Sequence, residues 1–145
     1  MKTGTTLLPA LLALFAVTAL TACKGSSGPS ASAINWVTDY QAGLEKAQKT
    51  GRPVLVFFTA EWCGYCTRIK KEVFAQKEVG TASEKLVNIW VDVDENRQLA
   101  GEFGIRGIPA LIFLDPEGKV LGPYNGPRNP GPIITAMNEV TAKYP

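Results

Sequence analysis

Apolar positions change their period several times along this chain, and each change marks a predicted element. Trp36, Tyr40, Leu44 and Ala47 recur at helical spacing, which predicts an amphipathic helix over residues 33–49 that Gly51-Arg52-Pro53 stops. Residues 54–59 are apolar on both faces, as expected of a central strand covered by helices. Beyond two closely spaced cysteines, Ile69, Val73 and Phe74 lie on one side of a predicted helix reaching residue 75. Arg68, Lys70, Lys71 and Glu72 form its solvated face. A short helix is predicted over 77–85, a strand over 86–93 and a short helix over 98–103. Residues 110–114 and 119–121 read as a hairpin around Asp115-Pro116-Glu117-Gly118, whose Pro and Gly form turns. A Gly-, Pro- and Asn-rich loop over 122–132 precedes a last helix over 133–143, and no internal repeat is visible. Strands alternating with helices, then a hairpin and a helix, predict a single α/β domain: one mixed sheet covered by helices on both faces.

The first two dozen residues stand outside that pattern. Lys2 gives a positive start, residues 7–20 an apolar stretch, and Leu20-Thr21-Ala22 small residues ahead of Cys23. The stretch is shorter than the roughly 20 residues of a spanning helix and contains Pro9, which argues against a permanent transmembrane anchor. This segment resembles the bacterial lipoprotein signal, and the resemblance implies cleavage before Cys23 and acylation of its sulfur and amine. The expected organisation is a signal peptide at 1–22, a lipidated Cys23 with a flexible Ser- and Gly-rich tether to residue 33, and a folded domain over 34–145. The alternative is an ordinary cleaved signal with an incidental cysteine. A chain of 145 residues suffices for one domain with a sizeable core. Its formal charge of +2, partly owed to Lys2, gives no reason to expect nucleic acid or a polybasic membrane surface as partner.

The chemistry concentrates in Glu61-Trp62-Cys63-Gly64-Tyr65-Cys66, placed where a buried strand gives way to a helix. A sulfur at a helix N-terminus lies near unsatisfied N–H groups and the positive end of the helix dipole, which favours the thiolate. Cys63 is therefore the expected nucleophile. Cys66, one turn on, is placed to attack a mixed disulfide at Cys63 and close the redox-active Cys63–Cys66 bond. A structural zinc site wants four N or S ligands, whereas the chain has no His and only one further cysteine, Cys23, so no metal is expected. An inert staple closing so short a loop would constrain the unfolded chain little. Lipidation of Cys23 would also account for the odd cysteine count.

Trp62-Cys63-Gly64-Tyr65-Cys66 after an apolar strand, followed by Phe103-Gly104-Ile105-Arg106-Gly107-Ile108-Pro109-Ala110 and another apolar strand, resembles the thioredoxin superfamily. The resemblance covers about residues 34–145. It implies a thioredoxin-like fold and a cis bond before Pro109, with Ile108 and Pro109 forming a peptide-contact shelf beside the cysteines. It also implies a partly exposed Trp62 that contacts substrate, with Gly64 and Tyr65 in the same surface, and Gly126 is a weaker match to a glycine that admits substrate. The lead-in Arg52-Pro53-Val54 and the run Val91-Asp92-Val93-Asp94 are most similar to exported members, notably the C-terminal domain of the periplasmic thiol:disulfide interchange reductase. The Gly64-Tyr65 dipeptide is also that of dimeric periplasmic isomerases, which usually carry Thr before the cis-proline and a separate dimerisation domain.

One departure bears on mechanism. Family members commonly place a buried Asp six residues before the first cysteine, with a Lys on the neighbouring strand; here those positions hold Phe57 and Trp90. Base assistance to Cys66 is then left to Glu61, water or the substrate thiolate. The expected function is reduction of protein disulfides in the bacterial envelope, with no cofactor, an upstream membrane thiol reductase as electron source and a monomeric state. Isomerase or oxidase activity, a non-enzymatic binding module and copper delivery are the alternatives. The last is disfavoured by the lack of His.

Overall fold

The computed structural model describes residues 32–126 and 128–144. The expected signal peptide, Cys23 and the tether up to residue 31 lie outside the described residues. Five strands form one sheet in the order β1-β3-β2-β4-β5: β1 Trp36–Val37, β2 Val54–Thr59, β3 Val87–Asp92, β4 Ala110–Leu114 and β5 Val120–Pro123. The pairs β1–β3 and β2–β3 are parallel, and β2–β4 and β4–β5 are antiparallel, so the sheet is mixed as expected. Among the described residues, five helices complete the fold: α1 Tyr40–Thr50, α2 Gly64–Glu72, α3 Lys77–Ser83, α4 Arg97–Glu102 and α5 Pro130–Thr141.

Strand alternation divides the core into two layers. Leu55 and Phe57 of β2, with Leu111 and Phe113 of β4, face α2, α3 and α5 through Ile69, Val79, Ile133 and Met137. Val54, Val56 and Phe58, with Ile89 and Val91 of β3, face the other way, toward Leu44 and Ala47 of α1 and Leu99 and Ala100 of α4. Every residue of β2 is buried, which explains why the sequence shows no polar alternation there.

Two expectations are corrected. The predicted helix over 33–49 begins only at Tyr40: the Asp39 carboxylate accepts from Ala42 N at 2.8 Å and caps α1, while Trp36 lies in β1. A two-residue strand is too short to show a period of two, and Trp36 happens to stand four residues before Tyr40, which extends the helical pattern falsely. At the other end, α5 starts at Pro130 instead of residue 133, with Pro at its first positions and Asn129 as N-cap. Proline is tolerated there because the first-turn N–H groups have no helical partner anyway. Smaller shifts are confined to ends: α2 stops at Glu72, α3 at Ser83, and α4 spans Arg97–Glu102. Gly51 ends α1 at φ 67°, a conformation that costs a glycine little.

The start of the described chain is held firmly. Ala33 N donates to Phe74 O at 2.8 Å, Ser32 Oγ donates to the same carbonyl, and Trp36 Nε1 donates to Ser32 Oγ at 3.0 Å. Ile34 is buried in the α2 layer. Among the described residues, contacts to the domain extend to Ser32, two residues ahead of the expected domain start.

Candidate active site

Cys63 is the N-cap of α2, in extended backbone conformation, and its Sγ accepts from Cys66 N at 3.1 Å. A cysteine here takes the place that Ser, Thr or Asp usually fills, so its sulfur lies where a helix presents free N–H groups and positive potential. Cys63 and Cys66 are joined by a disulfide, with Cα atoms 5.2 Å apart. The two sulfurs differ in environment: Cys63 retains 5% of its surface and Cys66 none, which suits the outer sulfur to attack and the inner one to resolution.

The surrounding side chains form a surface around Cys63. Trp62 is 70% exposed, yet its indole Nε1 donates to Asp94 Oδ2 at 2.7 Å, which fixes the ring direction. Tyr65 is exposed beside it, with the Arg68 guanidinium 6.0 Å from its ring centroid. Gly64 faces open space. The Ile108–Pro109 bond is cis, and Ile108 packs against the layer that contains both cysteines. Trp62, Val93, Ile105, Arg106 and Ile108 line a shallow groove on this surface. A cavity of about 810 Å³ lies elsewhere, between the start of α1 and α4, and is lined by polar residues such as Asp39 and Arg97. Its volume does not mark the chemistry, because neither cysteine borders it.

Two contributors, Asp94 and Arg128, escaped the sequence reading as site residues. Asp94 orients Trp62. Arg128, in the loop before α5, donates through Nη2 to Pro109 O at 3.3 Å and so ties that loop to the cis-proline segment. Tyr124 is held above the usual tyrosine range by burial, with the nearby Arg128 charge pulling the other way. Neither Asp94 nor Arg128 has a local sequence signal, since their partners Trp62 and Pro109 lie 32 and 19 residues away. Gly126 accommodates the Tyr124 ring: a Cβ there would come within 2.7 Å of the phenol oxygen.

Among the described residues, no acid is buried in the layer that holds the disulfide. Phe57 is fully buried and stands opposite Trp90 in the β2–β3 register, with ring centroids 5.2 Å apart. Phe74 at 5.0 Å and Trp36 at 5.8 Å complete an aromatic box around it, and Lys70 Nζ lies 5.0 Å from the Trp90 ring. Among the described residues, the buried polar side chains are Thr59, Ser83, Asn88 and Thr141, none of them an acid or a base. Glu61 is exposed to solvent.

Comparison with known proteins agrees with this geometry. A family model described as thioredoxin-like matches residues 35–116. The protein disulfide-isomerase tigA of Aspergillus niger is 34% identical over 101 residues, covering 67% of this chain and 27% of that protein. The thiol:disulfide interchange protein DsbD of Ralstonia nicotianae is 33% identical over 89 residues, covering 59% of this chain and 15% of that one. The chain therefore spans only about a quarter or less of these two curated relatives. Among solved structures, a thioredoxin from Thermus thermophilus superposes with a TM-score of 0.67 at 29% identity, covering 77% of this chain and 89% of its own. DsbH oxidoreductase superposes at 0.65 with 23% identity, over 83% and 92% of the two chains, and bears on the fold alone. With the matching segment spanning both β2 and the cysteine pair through to the turn after β4, the chain belongs to the thioredoxin-like family.

Proposed function

We propose that the protein is a thiol–disulfide oxidoreductase that reduces disulfides in protein substrates. The observation that carries this reading is the Cys63–Cys66 pair at the N-terminus of α2, with Cys63 retaining a little accessible surface and Cys66 none. In the reduced protein the Cys63 thiolate attacks a substrate disulfide, forming a mixed disulfide and releasing one substrate thiolate. Cys66 then loses its proton and attacks Cys63 Sγ, which restores the bond seen here and releases the second substrate thiolate. Two electrons pass from protein to substrate, and an upstream dithiol must return them. Trp62, Gly64, Tyr65, Ile108 and Pro109 form the surface on which an extended substrate segment would lie.

The test is capture. Cys66→Ser should hold substrates as mixed disulfides that run as reducible adducts, while Cys63→Ser should hold almost none. Failure of both to capture any partner would remove the exchange mechanism and favour a non-enzymatic binding role. The likeness to disulfide isomerases supports a second reading, isomerisation, which reactivation of scrambled ribonuclease would detect.

The envelope location rests on Leu20-Thr21-Ala22-Cys23 and on the likeness to DsbD. In this reading Cys23 carries lipid, residues 24–31 act as a tether, and a membrane thiol reductase supplies electrons. Mass spectrometry of detergent-extracted protein should find an acylated Cys23 at the mature N-terminus. A full-length chain with an unmodified Cys23 would overturn the anchor without touching the exchange chemistry.

A further inference from the structure

Removing the usual buried acid leaves a question about the resolving sulfur, and one atom in the same layer answers it. Thr59 retains 1% of its surface, and its Oγ1 is fully buried with no hydrogen-bond partner among the described residues. A buried hydroxyl without a partner is costly, and native structures seldom leave one without a reason. The backbone of Thr59 does not share the deficit, since its carbonyl accepts from Val93 N at 2.9 Å.

The position of this hydroxyl is informative. Alternation along β2 puts Leu55, Phe57 and Thr59 on one face, and the first two belong to the same apolar layer as Cys63 and Cys66. Thr59 is the last of that row, at the end of the strand from which three residues lead into Cys63. It therefore stands nearer in the chain to the pair than Phe57 does, on the face of β2 whose apolar residues cluster with Cys66. In the disulfide form seen here, Cys63 Sγ accepts from Cys66 N, and Thr59 Oγ1 has no partner among the described residues.

We propose that Thr59 Oγ1 donates a hydrogen bond to the Cys66 sulfur once the disulfide opens, stabilising the resolving thiolate in a layer whose fully buried residues, among those described, include no acid or base; the half-buried Asp92 stands opposite Thr59 in the β2–β3 register. The inference rests on the Cys63-attack and Cys66-resolution reading above. During resolution the Cys66 proton passes to solvent or to the substrate thiolate released first, and the Thr59 hydroxyl keeps its own. Cys66 then attacks Cys63 Sγ, the mixed disulfide breaks, and the remaining substrate sulfur leaves with the electron pair. Thr59 is unsatisfied in the disulfide form and satisfied in the dithiol form, so it biases the equilibrium toward the dithiol.

The experiment compares wild type, Thr59→Val and Thr59→Ser in the full chain. For each, the dithiol–disulfide equilibrium is measured against glutathione, together with the rate at which a preformed mixed disulfide at Cys63 resolves. Thr59→Val keeps the shape and removes the donor. It should shift the equilibrium about tenfold toward the disulfide, which is about 30 mV more reducing for a two-electron couple. It should also slow resolution about tenfold, whereas Thr59→Ser should stay within about twofold of wild type in both. If Thr59→Val loses cooperative unfolding, Thr59→Ala gives the same comparison. A Val variant equal to wild type would overturn the proposal by showing that the hydroxyl has another partner. A Ser variant displaced as far as Val would overturn it by assigning the effect to methyl packing. A wild type that fails to exchange with glutathione at all would instead bring down the underlying function.

Discussion

At the residue scale, the site is built from an unequal pair of sulfurs and an apolar floor. Phe57 sits where a carboxylate would be positioned to take the Cys66 proton, and it is walled by Trp36, Phe74 and Trp90. Phe57→Asp should speed resolution of the mixed disulfide near neutral pH, by up to about 10²-fold, since burial raises the carboxyl pKa toward the working range. The same change empties an aromatic site and should cost about 3–5 kcal/mol of stability, so urea unfolding must accompany the stopped-flow rate. An unchanged or slower rate would count against a missing-base account. A second residue-scale outcome concerns Tyr40, raised above its ordinary 10.0 first by burial and then by the Glu102 carboxylate. Its folded state holds the proton longer than the unfolded chain does. The stabilisation is therefore complete below the unfolded value and is lost as pH climbs through the folded one. Phenolate absorbance, compared with Tyr40→Phe, should show a late-ionising tyrosine. Glu102→Gln should lower that midpoint only partway, because burial is the larger cause.

At the element scale, the two misread boundaries share a physical origin. Asp39 and Asn129 are ordinary N-cap residues, and Pro130 is an ordinary first-turn residue, so both helix starts had local signals. They were outweighed by longer-range patterns, an apolar recurrence running back to Trp36 and a Gly- and Pro-rich composition running forward to Pro132. The rest of the framework was legible because β2, β3, β4 and the cysteine motif carry dense apolar runs. The site was legible as far as one contiguous motif and Ile108-Pro109 reach. The Asp94, Arg128 and Thr59 roles were not, since each depends on which distant atoms the fold brings near, or fails to bring near, a single polar group. The docking of residues 32–34 on α3 makes a further prediction. A Cβ on Gly80 would meet Ala33 O at 2.7 Å and Ala33 Cβ at 2.8 Å. Alanine normally favours a helix interior over glycine by roughly 0.5–1 kcal/mol, but a clash with backbone outweighs that. Gly80→Ala should therefore destabilise by about 1–3 kcal/mol in urea unfolding. A net gain would mean that the first residues are not held on α3.

At the scale of the whole molecule, strand order decides which parts of the sheet open first. β3, β2 and β4 each have strands on both sides, with β2 at the centre, whereas β1 and β5 lie at the two edges, and Val120 and Leu121 of β5 are exposed. Amides at sheet edges and ends open through local events, while central ones open only with the whole domain. Native-state hydrogen exchange should accordingly find the slowest amides in residues 55–58 and 88–91 and faster exchange in β5. Equal protection across all five strands would contradict this. The cysteine pair leaves directly from the end of β2, so its mooring is the strand last to melt. In the dithiol form, Cys66, on the fully buried side of the pair, should then be reachable by alkylating reagents only through rare opening of the domain, while the closed disulfide offers them no thiol. Damage to the resolving sulfur at rest would be governed by the folding free energy of the domain, which makes overall stability a safeguard of the redox cycle as well as of the shape.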